Sequence, residues 1–170
     1  MPEMTHCIFC GHKLIYKELK NEGMIPYCPS CEDYRFPVFS TAVSMIVMNE
    51  EKDKILLIKQ YGRKDYILVA GYINKGEDGE DAVEREIKEE LGVSVKEKRF
   101  NRSHYFAPSN TLMWNWTAVI EGELSPNEEI DEYRWFSIEE ARKMIKKDSL
   151  AEAFLLGYLD KEYHFPGEKK

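Results

Sequence analysis

The chain has 170 residues and a formal net charge of −7, with 43% hydrophobic and 32% charged residues. This is the composition of a globular chain long enough for one well-buried domain, and it excludes a disordered or fibrous protein. The acidic balance disfavours broad nucleic-acid binding, and without a signal sequence or the roughly 18 apolar residues of a membrane span we expect a cytoplasmic protein.

All four cysteines lie in the first 31 residues, in two C-x-x-C pairs separated by 17 residues. The composition changes near Pro37, so we predict a small domain at 1–37 and a second domain at 38–170. This spacing fits four thiolates around one tetrahedral Zn²⁺ better than a disulfide framework, which stays the alternative. A shell closed by four sulfurs leaves no open coordination position, so the zinc is expected to be structural. The predicted ligands are Cys7, Cys10, Cys28 and Cys31, with His12 as an alternative ligand.

From Ser40 onward, β-type segments alternate with turn-type residues. These segments predict strands of one mixed sheet at 41–48, 54–59, 65–73, 111–123 and 129–137. The segment FNRSHYFAPS (100–109) contains Pro108 and is predicted to be a loop. Two segments with helical periodicity, 137–147 and 149–159, each begin with serine. The second domain is therefore expected to be α/β.

The segment after the third strand predicts a helix from about Gly79 to Leu91. Asp78 is the expected N-cap, and Gly92 suits the left-handed position that ends many helices. Val83, Ile87 and Leu91 form one apolar stripe, as side chains on one face of a helix do.

Three glutamates crowd this helix at spacings where like charges repel, namely Glu86, Glu89 and Glu90. A solvated acidic face is the ordinary interpretation of such a pattern. However, Glu86 and Glu90 flank the apolar stripe, and no lysine stands four residues away to pair with them. Carboxylates that converge beside a packed face suit a hard cation such as Mg²⁺ or Mn²⁺. Gly71, before the helix, lacks a side chain, so its carbonyl can approach that cation closely.

The same residues resemble a known family motif. Gly71, Glu77, Arg85-Glu86-Ile87, Glu89-Glu90 and Gly92-Val93 match every fixed position of the Nudix box at its spacing. The resemblance implies the Nudix fold, an α/β/α sandwich around a mixed sheet, here preceded by a small four-cysteine zinc ribbon. It also implies metal-dependent hydrolysis of a nucleoside diphosphate linked to another group.

The Nudix resemblance implies a role for each matched residue. Glu86, Glu89 and Glu90 are the expected metal ligands, assisted by the Gly71 carbonyl, and Glu89 or Glu90 also deprotonates the attacking water. Arg85 is expected to orient the carboxylates through charge-assisted hydrogen bonds. Glu77 is expected to be structural.

A zinc ribbon ahead of a Nudix domain resembles the NADH diphosphatase branch of the family. The specificity motif of that branch, S-Q-P-W-P-F-P-x-S followed by L-M, corresponds to residues 103–113. Ser103, Leu112 and Met113 agree, Thr111 is serine-like, and Phe106 replaces the tryptophan, but the glutamine and at least two prolines are absent. Preference among NADH, NAD⁺, ADP-ribose and diadenosine substrates is left open by this departure.

The branch resemblance implies further contacts. Glu129 corresponds to an extra acid that binds metal or acts as a base, with Glu132 as the weaker candidate. Tyr72 is expected to stack on the nicotinamide, and His104 and Phe106 to contact the nucleotide. Phe36 corresponds to an aromatic residue lent by a partner's ribbon, which implies a homodimer. The two aromatic residues Tyr72 and Phe36 are equally compatible with a place in the core. Members of the branch carry a further N-terminal domain, which this chain would lack.

Three functions follow as hypotheses. The first is hydrolysis of NADH or NAD⁺ to AMP and the nicotinamide mononucleotide, a small-molecule dinucleotide reaction. The second is hydrolysis of ADP-ribose or another nucleoside diphosphate derivative. The third is a nucleic-acid-binding ribbon, made basic by Lys13, Lys17 and Lys20, with an inactive Nudix fold. Removal of NAD from capped RNA would combine the enzymatic and nucleic-acid hypotheses.

Overall fold

The computed structural model describes residues 4–167. The ends of the two predicted domains, residues 1–3 and 168–170, lie outside this range. The chain divides into two compact units, one of residues up to Phe39 with Ala107–Asn110, and one of Ser40–Phe106 with Thr111 onward. Within the described range, no helix combines the length and the apolar composition needed to cross a membrane.

The first unit is built on a small antiparallel sheet. Its strands are β1 (Ile15–Leu19), β2 (Gly23–Cys28) and β3 (Asp33–Tyr34), in the order β1-β2-β3. Cys28 ends β2, and the other three cysteines lie outside the strands. The short sheet therefore supports loops that carry most of the cysteine thiols.

The second unit contains a six-stranded mixed sheet. Five of its strands lie in the order β7-β8-β4-β5-β9, and β6 pairs with β4. Their bounds are β4 Ser40–Met48, β5 Lys54–Gln60, β6 Val69–Tyr72, β7 Ser94–Phe106, β8 Thr111–Glu121 and β9 Ile130–Ser137. The β4 and β8 strands run parallel, and the other pairings are antiparallel.

Helices cover both faces of this sheet because successive side chains of a strand point to opposite sides. Helix α1 (Gly79–Leu91) packs its apolar stripe on the face that includes Val43 and Leu56. Helices α2 (Ile138–Met144) and α3 (Leu150–Asp160) pack on the opposite face, where they form a second hydrophobic core with Ile46 and Leu57. The predicted α/β/α sandwich around a mixed sheet is confirmed.

The bounds of α1 agree with the prediction, and Gly92 has the left-handed φ of 71° expected after its end. The Asp78 cap differs from the prediction. Asp78 stands at the N-cap position in extended conformation, but its side chain makes no capping hydrogen bond. Ser137 and Ser149 do cap α2 and α3, by accepting hydrogen bonds from the backbone N–H groups of Glu140 and Glu152.

Two strand predictions were wrong. The segment 100–109 was expected to be a loop, but Phe100–Phe106 belongs to the thirteen-residue strand β7, paired with β8. The pairing shifts register after Val95 and again after Phe100, which interrupts the two-residue alternation of side chains. No residue of β7 is fully buried, and most are exposed. The third predicted strand, 65–73, is ordered as a strand only at Val69–Tyr72.

Candidate active site

Gly71 and Glu86 meet where α1 packs beside β6. A Cβ atom built on Gly71 would overlap all three carboxyl atoms of Glu86. Gly71 pairs with Val43 in the sheet and is not among the positive-φ glycines of the described chain. The position therefore requires the absence of a side chain and not glycine's backbone freedom.

Arg85 is the centre of the hydrogen bonds around these acids. Its guanidinium binds both oxygens of Glu77, at 2.7 and 2.9 Å. Its Nη1 donates to Glu86 Oε1 at 2.6 Å and to Glu89 Oε2 at 3.0 Å, and its Nη2 donates to the Tyr72 carbonyl at 2.9 Å. The Arg85 hydrogen bonds hold the pKa of Glu77 down to about 2. The Arg85 guanidinium thus fixes three carboxylates and the end of β6.

Glu90 is the most enclosed of the candidate ligands. Its exposed fraction is 4%, and its Oε2 accepts a hydrogen bond of 2.9 Å from the Gln60 amide. Burial, followed by the charges of Glu86 and Glu129, raises the pKa of Glu90 to about 8. Burial also raises the pKa of Glu86, although Arg85 opposes this shift. In the absence of a cation, the site disfavours full ionisation of its buried acids.

The two candidate acids near β9 have different partners. Glu129 Oε2 accepts a hydrogen bond of 2.6 Å from the Tyr61 hydroxyl, and this bond is the main cause that raises the pKa of Tyr61 to about 12. Glu129 also contributes to the raised pKa of Glu90. Glu132 instead accepts hydrogen bonds from Lys59 and Tyr66, and Tyr66 belongs to the core on the side away from α1.

The donor set fits a hard divalent cation. Within the described chain, each of Glu86, Glu89, Glu90 and Glu129 has one oxygen held by a donor and the other without a hydrogen-bond partner. Carboxylate oxygens of this kind are the ligands that Mg²⁺ and Mn²⁺ prefer. Arg85 binds Glu86 and Glu89, whereas Gln60 and Tyr61 bind Glu90 and Glu129. No three of these four acids place carboxylate oxygens within 4.8 Å of one another, as the cysteine sulfurs do.

The four cysteines of the first unit form a compact cluster. Their sulfur atoms all lie within 4.8 Å of one another, with 3.9 Å between Cys7 and Cys31 and 3.5 Å between Cys10 and Cys28. Tetrahedral zinc with Zn–S bonds of ~2.3 Å separates its sulfurs by roughly 3.8 Å. The cysteines are free thiols, which contradicts the disulfide alternative, and His12 is not part of the cluster.

A buried arginine accompanies the cysteine cluster. Arg35 has an exposed fraction of 7%, and its Nε donates to Cys7 Sγ at 3.2 Å. Although burial opposes the change, this hydrogen bond and those from backbone N–H groups lower the pKa of Cys7 to about 6. The Arg35 hydrogen bond therefore favours the thiolate form of Cys7, the form in which cysteine binds a metal.

The candidate substrate contacts lie at several places. Tyr72 ends β6 and is exposed, directly after Gly71. His104 lies in β7 and stacks on Phe165, with ring centroids 3.6 Å apart, so one ring face is covered. Phe106 ends β7 and is half-buried. Phe36 lies in the first unit and is exposed.

Two residues of the site, Gln60 and Tyr61, were not predicted from the sequence. Both lie in the segment QYGRK, which was interpreted only as a turn. Their partners, Glu90 and Glu129, are 30 and 68 residues away along the chain. Local pattern carries no signal for contacts over such separations.

Comparison with known proteins gives a family match. A family model described as the NUDIX domain matches residues 38–155. A protein of Pseudomonas aeruginosa named NAD-capped RNA hydrolase NudC is 30% identical over 158 residues, covering 91% of this chain and 56% of the relative. The protein of that name from Pseudomonas syringae is 33% identical over 161 residues, with coverage of 92% and 56%. The chain thus spans about half the length of the curated relatives it matches.

Solved structures share the fold at low sequence identity. A NUDIX hydrolase from Nitrosomonas europaea has a TM-score of 0.62 at 20% identity, covering 95% of this chain and 96% of that chain. The MutT protein from Methanosarcina mazei has a TM-score of 0.59 at 17% identity, covering 72% and 94%. At such identities the likeness concerns the fold alone.

Proposed function

This chain belongs to the Nudix family, and on that premise we propose that it hydrolyses the pyrophosphate bond of a nucleoside diphosphate linked to another group. The observation that carries the proposal is the contact of the Glu86 carboxylate with the backbone of Gly71, together with the Arg85 hydrogen bonds to Glu86 and Glu89. These contacts unite the two ends of the sequence motif in one acidic site.

The residues that would hold Mg²⁺ or Mn²⁺ are Glu86, Glu89, Glu90 and Glu129, with the carbonyl of Gly71. When bound, such a cation neutralises phosphate oxygens and makes water a stronger nucleophile. Arg85 keeps the carboxylates oriented through its hydrogen bonds, which saves reorganisation during the reaction.

Glu89 or Glu90 accepts one proton from the attacking water while the water oxygen forms a bond to one phosphorus. The bond from that phosphorus to the bridging oxygen breaks, and the second phosphate leaves. The two candidates differ in environment, since the Glu89 side chain is 58% exposed whereas Glu90 is buried. Solvent water reaches Glu89 directly, whereas the Gln60 amide holds the buried Glu90 carboxyl in a fixed position.

The first substrate that we propose is NADH or NAD⁺, cleaved to AMP and the nicotinamide mononucleotide. The name of the Pseudomonas relatives, NAD-capped RNA hydrolase, supports a nicotinamide dinucleotide as the cleaved group. The exposed Tyr72 is suitably placed after Gly71 to stack on an aromatic base. We propose Phe36, His104 and Phe106 as weaker substrate contacts.

ADP-ribose or another nucleoside diphosphate derivative is the alternative substrate. The departures at residues 103–113 support it, because the segment lacks the glutamine and most prolines of the resembling branch. Residues Ser103–Phe106 form a strand, and one face of the His104 ring is covered by Phe165. Both features favour substrate contacts that differ from those expected for the NADH diphosphatase branch. NAD-capped RNA is a third substrate, supported by the relatives' name.

We propose that Cys7, Cys10, Cys28 and Cys31 hold one structural Zn²⁺, and that the protein acts in the cytoplasm as a homodimer. The sulfur separations support the zinc site. A purely nucleic-acid-binding role receives less support, since the net charge is −7 and all glutamates of the motif are present.

Product analysis over a substrate panel tests these alternatives. NADH, NAD⁺, ADP-ribose, diadenosine polyphosphates and NAD-capped RNA are each incubated with the zinc-loaded protein and Mg²⁺ or Mn²⁺. AMP together with the nicotinamide mononucleotide supports the first proposal. AMP with ribose 5-phosphate from ADP-ribose, while NADH persists, replaces it with the second. An RNA cap that persists through the incubation excludes decapping.

A further inference from the structure

The segment Lys59–Gly62, at the end of β5, binds a different carboxylate at each of its positions. The hydrogen bonds join Lys59 to Glu132 at 2.6 Å, Gln60 to Glu90 at 2.9 Å, Tyr61 to Glu129 at 2.6 Å, and the Gly62 backbone N–H to Asp131 at 2.6 Å. Two of these acids, Glu90 and Glu129, are candidate metal ligands. The segment therefore connects β5 directly to the proposed active site.

The backbone of Tyr61 explains how two successive side chains reach one site. In an extended strand, neighbouring side chains point to opposite faces. Tyr61 instead has a left-handed φ of 54°, which interrupts this alternation after Gln60. A bulky residue rarely adopts this conformation, and such strain is often retained where a site depends on it.

The hydrogen bond from Gln60 to Glu90 is enclosed on both sides. The exposed fractions are 6% for Gln60 and 4% for Glu90, and Gln60 is the sole hydrogen-bond partner of the Glu90 carboxyl within residues 4–167. Toward the ionised Glu90 that binds a cation, the amide presents its nitrogen, since an amide oxygen cannot donate a hydrogen bond. Gln60 therefore fixes Oε2 of Glu90 and leaves Oε1 of Glu90 available to bind a cation.

The hydrogen bond from Tyr61 acts in the same way on Glu129. Glu129 lies between β8 and β9, outside both strands, so no sheet pairing fixes its position. The Tyr61 hydroxyl is the sole donor to its carboxylate in the described chain. Without that bond, the exposed carboxylate would sample many rotamers.

We infer that Gln60 and Tyr61 form a positioning pair, which fixes one oxygen of Glu90 and one of Glu129 and so directs the second oxygen of each to the cation. This inference rests on the proposed function, since it takes both acids as metal ligands. Donors behind metal ligands set the direction of the ligand, and their loss typically costs a factor of about 10–100 in metal affinity or activity.

The test uses the whole zinc-loaded chain with Gln60→Met, which keeps the side-chain length, and Tyr61→Phe, which removes only the hydroxyl. Calorimetry measures Mn²⁺ binding without substrate, thermal unfolding measures stability, and steady-state kinetics separates kcat from KM. We expect each variant to weaken Mn²⁺ binding by about tenfold or more and to lower kcat similarly. We expect KM at saturating cation to stay within about twofold of the wild type, because neither side chain is assigned to the substrate.

Thr117→Val is the matched control. It removes a buried hydroxyl that bonds to Asn101 in the same sheet, without contact to the acids of the site. If Thr117→Val lost as much Mn²⁺ affinity as the two test variants, their loss would be explained by general destabilisation of the fold. That result would overturn the inference. Tyr61 is 68% exposed, so Tyr61→Phe keeps the test available if Gln60→Met folds poorly.

Unchanged Mn²⁺ affinity in both variants would also overturn the inference. If only Gln60→Met weakens binding, the Tyr61 half of the pair is overturned. If the wild type binds Mn²⁺ but hydrolyses no substrate, while the variants bind it more weakly, the positioning pair is supported and the proposed function fails. The metal measurement thus separates the two proposals.

Discussion

The carboxylate of Glu86 fills the space that a side chain on Gly71 would occupy. Helix α1 and strand β6 can therefore approach closely only while residue 71 lacks a Cβ atom. This contact brings a candidate metal ligand against the backbone of Gly71, whose carbonyl we propose as a further ligand. The contact also explains physically why the motif begins with glycine, which the spacing of the motif alone does not explain.

Gly71→Ala is expected to displace the Glu86 carboxylate and to destabilise the fold by about 1–3 kcal/mol, the usual cost of overpacking. Activity should fall by roughly 100-fold, since a displaced ligand affects the cation more than the loss of an outer donor does. Urea unfolding and steady-state kinetics measure the two effects.

Gly79→Ala is the control for this substitution. Gly79 begins α1, and a Cβ there would meet only Ile73 at 3.8 Å and Trp116 at 4.0 Å, which is ordinary contact. Alanine is also the better helix former. The account would be contradicted if Gly71→Ala and Gly79→Ala behaved alike.

Glu77→Gln should make stability less dependent on pH. Its hydrogen bonds with Arg85 lower the pKa of Glu77 to about 2, below the value of roughly 4.3 of an unfolded glutamate. The stabilisation from ionised Glu77 is therefore fully present above the pKa of Glu77 in the unfolded chain. It is lost as pH falls toward the pKa of Glu77 in the folded chain. Urea unfolding should show a gap between wild type and variant that is largest above about pH 5 and shrinks toward pH 2. A gap that stays constant over this range would refute the ionic role of Glu77.

Glu129→Gln and Glu132→Gln should separate the two acids near β9. We expect Glu129→Gln to lower kcat by about tenfold or more, because it replaces a candidate ligand. Glu132→Gln should leave kcat within about twofold, since its carboxylate is held by Lys59 and Tyr66 on the far side of the sheet. Steady-state kinetics on both variants decides the assignment, and the reverse order of effects would exchange the two roles.

Zinc content should be one ion per chain, and Cys28→Ser should lose it. Cys28 is fully buried with its sulfur 3.5 Å from that of Cys10, and no fifth His, Cys, Asp or Glu of residues 4–167 belongs to the cluster. Elemental analysis measures the metal, and limited proteolysis reports the order of the first unit before and after chelation. Stoichiometric zinc in Cys28→Ser would show that the four-sulfur shell is the wrong ligand set.

Much of the fold was predictable because its signals are local. The acidic residues at the start of α1, its apolar stripe and Gly92 define the helix from Gly79 to Leu91 without tertiary information. Strands β4 and β5 are continuous buried segments, which composition reveals. Strand β7 was missed because it lies at the edge of the sheet, is largely exposed, and contains two register shifts that interrupt its alternation.

The candidate site was predictable only in part. The glutamates and Arg85 follow from the motif, but the roles of Gln60 and Tyr61 depend on a left-handed turn and on contacts with distant segments. Likewise, the stacking of His104 on Phe165 depends on how the chain after α3 returns to β7. Such contacts are set by tertiary packing, which residue spacing does not encode.

The most direct test of the central claim is the rate of AMP release from NADH, NAD⁺ and ADP-ribose in Mg²⁺ or Mn²⁺, for the zinc-loaded wild type and for Glu90→Gln. The account predicts that the wild type cleaves at least one of them, and that the variant keeps its fold but loses about 100-fold or more of the rate. A folded wild type that releases AMP from none of them with either cation, or a Glu90→Gln protein with the wild-type rate, would contradict the claim that these glutamates carry out pyrophosphate hydrolysis.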